Sequence, residues 1–246
     1  MHETAMMNGT RFFDCYGKFI PTEGTINVID IGSLDVNGSL REVAPKEFKF
    51  TGIDMEPGKG VDIVVDDPYT LPFESASVDV VTCSSCFEHS EMFWLLFLEI
   101  LRILKPTGLL YLNVPSNGDV HRYPVDCWRF YPDSGKALVV WAKKNGIHCS
   151  LLESYTGFQR QGWKDFVAVF LKDESHADLF RQRIVDSFHS FENGYSSGGQ
   201  EFLNSALVPE ERRNLKLLFG YATAEILDRR LKMARLRRRL ARLLRG

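Results

Sequence analysis

Carboxylates close three apolar runs of this chain: Asp30 in Asp30-Ile31-Gly32, Asp54 after Phe48–Ile53, and Asp66-Asp67 after Val61–Val65. An acid at the end of a buried strand lies at the sheet edge where open α/β folds take their ligands. Asp30 is placed to meet a cationic amino group, and Gly32 lets the backbone turn sharply there without a Cβ. Asp54 can accept both hydroxyl hydrogen bonds of a ribose, a pairing that neutral side chains reproduce poorly. The acids at 66 and 67 precede Leu71-Pro72-Phe73, so one can receive an adenine amino group while Leu71 and Phe73 supply apolar contact. The Gly-x-Gly-x-x-Gly fingerprint is absent, because Leu34 occupies its second glycine position. A pyrophosphate needs that close backbone approach, so a nicotinamide oxidoreductase is disfavoured.

The densest polar and aromatic cluster runs from Asn117 to Tyr131. It follows an apolar run directly, so it should hang over the same sheet edge, and as a plain connector its backbone and charges would need many partners. His121, Asp126 and Arg129 are candidates for base, base-orienting carboxylate and substrate anchor, with His89 a rival base. Tyr123 and Trp128 can stack on a sugar ring or another planar group. The plainer alternative pairs Arg129 with Asp126 and uses Trp128 to cap the core. Cys83-Ser84-Ser85-Cys86 has the spacing of half a zinc site, but no second Cys/His pair follows at a suitable interval. No acids form a recognisable metal triad; no metal is assigned, and a divalent ion assisting the base is an alternative without support in the sequence.

The elements that must carry these residues follow from apolar periodicity. Ile26–Ile31, Phe48–Asp54, Val61–Val65, Val78–Cys83 and Leu109–Val114 read as five strands, and Ile147–Glu153 with Phe166–Leu171 as a final pair. Asn37–Val43, Glu91–Leu104 and Ser134–Lys144 read as helices, the second stopped by Lys105-Pro106-Thr107-Gly108 and the third by Asn145-Gly146. Alternation of strand and helix predicts an α/β fold, a seven-stranded, mostly parallel sheet with helices on both faces and one antiparallel edge. A helical segment over Ala177–Phe191, a Gly/Ser loop over Asn193–Gly199 and a long helix from about Pro209 then form a helical extension. The expected division is an N-terminal segment 1–24, a catalytic domain 25–172 and the extension 173–246.

The ordered set Asp30-x-Gly32, Asp54, Asp67 before Leu-Pro-Phe, Val78-Asp79-Val80-Val81, Glu88-His89 and Leu104-Lys105-Pro106-x-Gly108 resembles the class I S-adenosylmethionine-dependent methyltransferase family, of the type 11-like kind. The resemblance spans roughly Thr25 to Leu171. It implies a Rossmann-like fold and S-adenosylmethionine as cofactor. Asp30 and Gly32 would contact its methionine part, Asp54 its ribose, and Met55 would pack on the adenine. Asp67, or Asp66 one residue away, would meet the adenine amino group; Ser33 and Ser84 complete the cofactor set. The family's turn often carries more glycines than this one. The string His121-Arg122-Tyr123-Pro124 through Phe130-Tyr131-Pro132 further resembles a subset associated with surface polysaccharide or glycan biosynthesis, which implies methyl transfer to a hydroxyl of a sugar or glycan acceptor. Alternatives are nitrogen or carbon acceptors of secondary metabolism, or a catalytically silent scaffold, against which three cofactor-facing acids argue.

With 246 residues, 44% of them hydrophobic and 25% charged, the chain can bury a full α/β core. Five scattered cysteines make no disulfide scaffold, and no apolar stretch is long enough to span a membrane. Met1–Thr10 lacks the apolar core of a signal peptide, so a cytoplasmic location is expected. The net charge of -2 conceals nine basic residues and no acid between Arg229 and Arg245. Leu215, Phe219, Ala222, Ile226, Arg229, Met233, Leu236, Leu240 and Leu243 recur at alternating intervals of four and three, a heptad seam broken in character only by Arg229. Self-association into a homo-oligomer ranks first for this helix, packing on its own domain second, and peripheral contact with the inner face of an anionic membrane third. Nucleic acid is not expected, because the catalytic half offers no basic groove.

Overall fold

Strands whose both faces are covered should read as continuous apolar runs, and here successive residues enter opposite cores. The computed structural model describes residues 3–21, 24–158, 162–199, 201–206 and 210–243. Eight strands form one sheet in the order β3-β2-β1-β4-β5-β7-β6-β8. They are β1 (Asn27–Ile31), β2 (Lys49–Asp54), β3 (Ile63–Val64), β4 (Val78–Ser84), β5 (Leu104–Pro115), β6 (Ser150–Gly157), β7 (Asp165–Leu171) and β8 (Phe191–Ser196). The pairings from β3 across to β5 are parallel, and β7 lies antiparallel between β5 and β6. Ile29, Val81, Leu110, Leu112, Ala168 and Phe170 enter one core, beneath α2 (Phe93–Ile103) and α3 (Ser134–Lys144). Val28, Val80, Leu109, Tyr111, Val167 and Val169 enter the other.

That second core is closed by a helix within the segment read from sequence only as an N-terminal tail. α1 (Glu3–Tyr16) buries Phe12, Phe13 and Tyr16 against the sheet. Its polar residues are matched across the core. Asn8 Nδ2 donates to Asn113 Oδ1 at 3.0 Å, and Tyr16 Oη donates to the buried Glu153 Oε1 at 2.5 Å.

Five expectations need correction. The sheet has eight strands rather than seven, because β8 pairs antiparallel with β6 and buries Phe191 beside Tyr155. The expected helix over Ala177–Phe191 is a 3-10 turn at Glu174–Leu179 and one short helix, α4 (Ile184–Ser187), and the loop expected from Asn193 is strand as far as Ser196. The helix expected over Asn37–Val43 shrinks to a 3-10 turn at Leu40–Glu42. Asp35 Oδ1 takes the Gly38 N–H, and Ser39 Oγ takes that of Arg41, so two side chains hold the backbone out of a helical start. The strand at Val61–Val65 reduces to two residues, since the Asp62 carboxylate accepts the Gly52 N–H beside the β2–β3 ladder.

The chain separates into two units, Met1–Ser205 and Ala206–Gly246. The second is α5 (Glu210–Leu243), and the start expected at Pro209 lies outside the described residues. Leu215, Phe219, Ile226 and Met233 of its seam are 53–69% exposed. The side chains of Leu236, Leu240 and Leu243 lie outside the described ones. Among the described residues no helix is long and apolar enough to cross a membrane.

Candidate active site

Strand order reverses between β1 and β4, and in open α/β sheets a crevice forms at the carboxyl ends of the strands on either side of such a point. A cavity of about 610 Å³ opens there, a volume ordinary for a cofactor and part of a small substrate. Asp30, Gly32, Ser33, Asp54, Met55 and Ser84 line it, as do His89, His121 and Tyr123. Asp66, Asp67, Asp126 and Arg129 do not.

Gly32 turns at φ +74°, and a Cβ on it would come within 2.8 Å of Cys86 Cβ, so only glycine lets β1 leave the sheet here. Asp30 is buried, with Oδ1 accepting from Thr82 Oγ1 on β4 at 2.6 Å. Burial pushes its carboxyl up to about 7, against the pull of the Thr82 hydrogen bond. Asp54 is fixed by backbone alone: Oδ2 accepts from Leu34 N at 3.1 Å, and Oδ1 from Met55 N at 2.8 Å. Two buried hydroxyls on the cavity wall, Ser33 Oγ and Ser84 Oγ, have no hydrogen-bond partner among the described residues. Asp67 instead serves its own turn, accepting from Tyr69 N and Thr70 Oγ1.

The opposite wall is assembled from three segments. Glu88 and His89 end the β4 edge, His121 to Val125 come from the loop after β5, and Trp163 from the β6–β7 connection. His89 Nδ1 donates to Val125 O at 2.5 Å, and its ring meets that of His121 edge-on at 4.9 Å. Burial lowers the His89 pKa, so the ring is neutral near pH 7. The His121 N–H donates to Asp126 Oδ2 at 2.8 Å, His121 Nδ1 lies 3.3 Å from the same oxygen, and Trp163 packs against the ring at 4.7 Å. Arg129 clamps Asp126 from below, Nη1 to Oδ1 at 2.5 Å and Nη2 to Oδ2 at 2.7 Å, and this holds the Asp126 carboxyl far below the usual range. The guanidinium is thus committed to Asp126, and Trp128 packs on Phe93 and Trp94 outside the cavity, as in the plainer alternative.

Two motif residues belong to the other end of the sheet. Asp79 of Val-Asp-Val-Val is buried and accepts from Asn27 N and from Lys105 Nζ at 2.7 Å, tying the starts of β1, β4 and β5. Those motifs therefore mark the scaffold rather than the site.

Sequence reasoning missed Glu88 and Trp163 as lining residues. Glu88 was visible as the neighbour of His89, whereas Trp163 stands in no motif. Among the described residues, Glu88, His89 and His121 are the one group whose potential ligand atoms converge, all within 4.8 Å of one another.

Residues 25–112 match a family described as "Methyltransferase domain". Comparison with curated proteins gives no match. Among solved structures, the chain is similar to the Burkholderia thailandensis 1,6-didemethyltoxoflavin-N1-methyltransferase, which holds S-adenosylhomocysteine. The TM-score is 0.51 at 15% identity, over 70% of this chain and 80% of that one. A Galdieria sulphuraria protein assigned as a sarcosine dimethylglycine methyltransferase gives 0.51 at 14% identity, over 70% and 86%. The fold is that of a methyltransferase. The matched domain implies S-adenosylmethionine as cofactor, and the donor set fits it, with two carboxylates, two unpartnered hydroxyls and the glycine turn around one cavity.

Proposed function

We propose that this chain is a S-adenosylmethionine-dependent methyltransferase whose acceptor is a hydroxyl of a small molecule, a sugar or glycan intermediate. The observation that carries the reading is one cavity with carboxylates along one wall and two histidine rings in edge-on contact along the other. The cofactor supplies an electrophilic methyl on a sulfonium. Asp54 holds its ribose hydroxyls, Asp30 its amino group, and Met55, 56% exposed beside Asp54, covers the adenine. Asp30 does so most strongly when ionised. Ser33 and Ser84 satisfy further polar atoms of the cofactor. The remaining task is to hold the acceptor in line at near-attack distance. Tyr123, more than half exposed at the cavity mouth, offers a face for a sugar ring. The Glu88–His89–His121 corner handles the acceptor's proton, His121 being the ring that Asp126 orients.

The test is calorimetric titration with S-adenosylmethionine and S-adenosylhomocysteine, followed by a methylation screen that begins with sugars. Micromolar binding and an O-methylated sugar are expected. Folded protein that binds neither ligand sinks the reading and leaves the silent scaffold; methylation only of amines or carbon acids redirects it to another acceptor class.

For α5 the reading is association with a second copy, supported by the exposed apolar seam at Leu215, Phe219, Ile226 and Met233. Light scattering on the full chain and on a chain ending at residue 205 checks it; a monomer in both cases rejects it.

A further inference from the structure

Glu88 sits 1% exposed at the cavity wall, and its Oε2 has no hydrogen-bond partner among the described residues. A buried carboxylate left in that state is costly, and proteins resolve the cost by protonating it or by pairing it with a cation or a metal. Arg129 acts on Glu88 through its charge, but its hydrogen bonds go to Asp126, Trp128 O and Asp119 O and none reaches Glu88. Two imidazoles also approach Glu88: His89 Nε2 lies 3.7 Å from Glu88 Oε1, and His121 offers a nitrogen within the same 4.8 Å group.

Both rings are held from behind. The His89 Nδ1–H is spent on the Val125 carbonyl, and His121 Nδ1 faces Asp126 Oδ2 at 3.3 Å and Asp119 O at 3.3 Å. The first arrangement leaves His89 Nε2 as the lone-pair nitrogen; at His121 the Nδ1 also lies 3.5 Å from Arg129 Nη2, and the tautomer with Nδ1–H directed to Asp119 O or Asp126 is the one that frees Nε2 to coordinate. Metal-binding histidines carry this signature, one ring nitrogen donating to a carbonyl or carboxylate so that the other can coordinate. A general base needs only one such ring; two rings converging on a buried, unpaired carboxylate exceed that requirement.

We propose that Glu88, His89 and His121 form a site for one divalent transition-metal ion, which binds the acceptor through two adjacent oxygens such as a sugar's vicinal diol. Two imidazoles and a carboxylate suit zinc and its first-row neighbours and leave positions open for further ligands. An ion about 2.1 Å from each donor draws the three atoms to roughly 3–4 Å apart, a small closure for the two partly exposed rings. The open positions face the cavity. A hydroxyl bound there is polarised and held in place, and its proton passes to solvent water, so His121 acts as ligand in place of base. The acceptor class rests on the methyl-transfer reading above; the ion site does not.

The experiment uses the full chain, stripped with a chelator. Cobalt(II) titration is followed by visible absorption and zinc titration by calorimetry, with S-adenosylhomocysteine binding measured on the same samples. One ion per chain is expected, with affinity at least about tenfold weaker in each of His89→Ala, His121→Ala and Glu88→Gln. Cys86→Ser, which changes a thiol lining the same cavity, is expected to leave both the stoichiometry and the cobalt spectrum unchanged. His121 is partly exposed, so its variant reports on ligation even where Glu88→Gln fails to fold. Absence of a stoichiometric ion, or affinity indifferent to all three substitutions, overturns the proposal. A bound ion without S-adenosylhomocysteine binding removes the methyltransferase reading alone, and the converse removes the metal site alone.

Discussion

Asp54 and His121 face each other across one cavity, and they are held there by different means. Asp54 ends a strand, and its oxygens are fixed by the N–H groups of Leu34 and Met55, all within the β1 and β2 turns. His121 stands on a long loop and is held by side chains, Asp126 and Arg129 from the same loop and His89 and Trp163 from two other segments. Backbone at a strand end is already ordered by the sheet, so one carboxylate suffices there. A loop has no ladder to order it, and side-chain pairs must fix it instead. The cofactor wall should therefore respond to substitution mainly in affinity, and the acceptor wall in stability and in chemistry.

The largest contrast is expected from Asp54→Ala, which should weaken S-adenosylhomocysteine binding by about 100-fold or more while the circular dichroism stays native, since losing two charge-assisted hydrogen bonds costs roughly 3 kcal/mol or more. An affinity within a few fold of the parent would move the ribose site elsewhere. Asp126→Ala should do the reverse. It strands the Arg129 guanidinium, whose side chain is 19% exposed, and we expect a loss of about 2–4 kcal/mol in thermal unfolding with cofactor affinity little changed. Unchanged stability would show that the clamp does not order the loop.

Asp30 sharpens the comparison through pH. Its carboxyl lies at about 7 when folded, against 3.8 ordinarily. An amino group bound beside it favours the ionised form, so cofactor affinity should rise by up to about tenfold per pH unit towards pH 7 and then level off. The folded chain keeps a proton that the unfolded chain releases above about pH 4, so this group's contribution to stability falls between about 4 and 7 and is flat above. Asp30→Asn should accordingly abolish the pH dependence of binding and raise stability at pH 8 by roughly 2–4 kcal/mol. Parallel titrations at pH 6 and 8, with calorimetric unfolding, would show whether it does. The smallest effect belongs to Asp67→Ala. Its carboxylate is engaged by Tyr69 N and Thr70 Oγ1, so affinity should stay within about twofold and stability fall by about 1 kcal/mol. A large loss of affinity would return Asp67 to the adenine site.

By itself the sequence determined the strand rows, the glycine turn and the acids at the strand ends, because each depends on residues near in the chain: apolar period, positive φ at Gly32, a carboxylate following a run of branched side chains. The same local reading could not separate Asp54 from Asp67. Each follows an apolar run, and only the fold shows that Asp54 lines the cavity while Asp67 lies outside its lining and serves its own turn. Nor could it separate motif residues of the site from those of the scaffold, since the Asp79–Lys105 pair joins positions 26 apart at the opposite sheet edge. α1 carries a legible helical period (Ala5, Asn8, Gly9, Phe12, Phe13 and Tyr16 are buried) that the sequence reading passed over, whereas β8, a Gly- and Ser-containing segment that makes the sheet eight-stranded, is strand because β6 offers it an edge. The gathering of Glu88, His89, His121 and Trp163 was likewise decided only by tertiary structure. Their positions span 75 residues, and the contacts that hold them depend on where β4, β5 and the β6–β7 connection end in space.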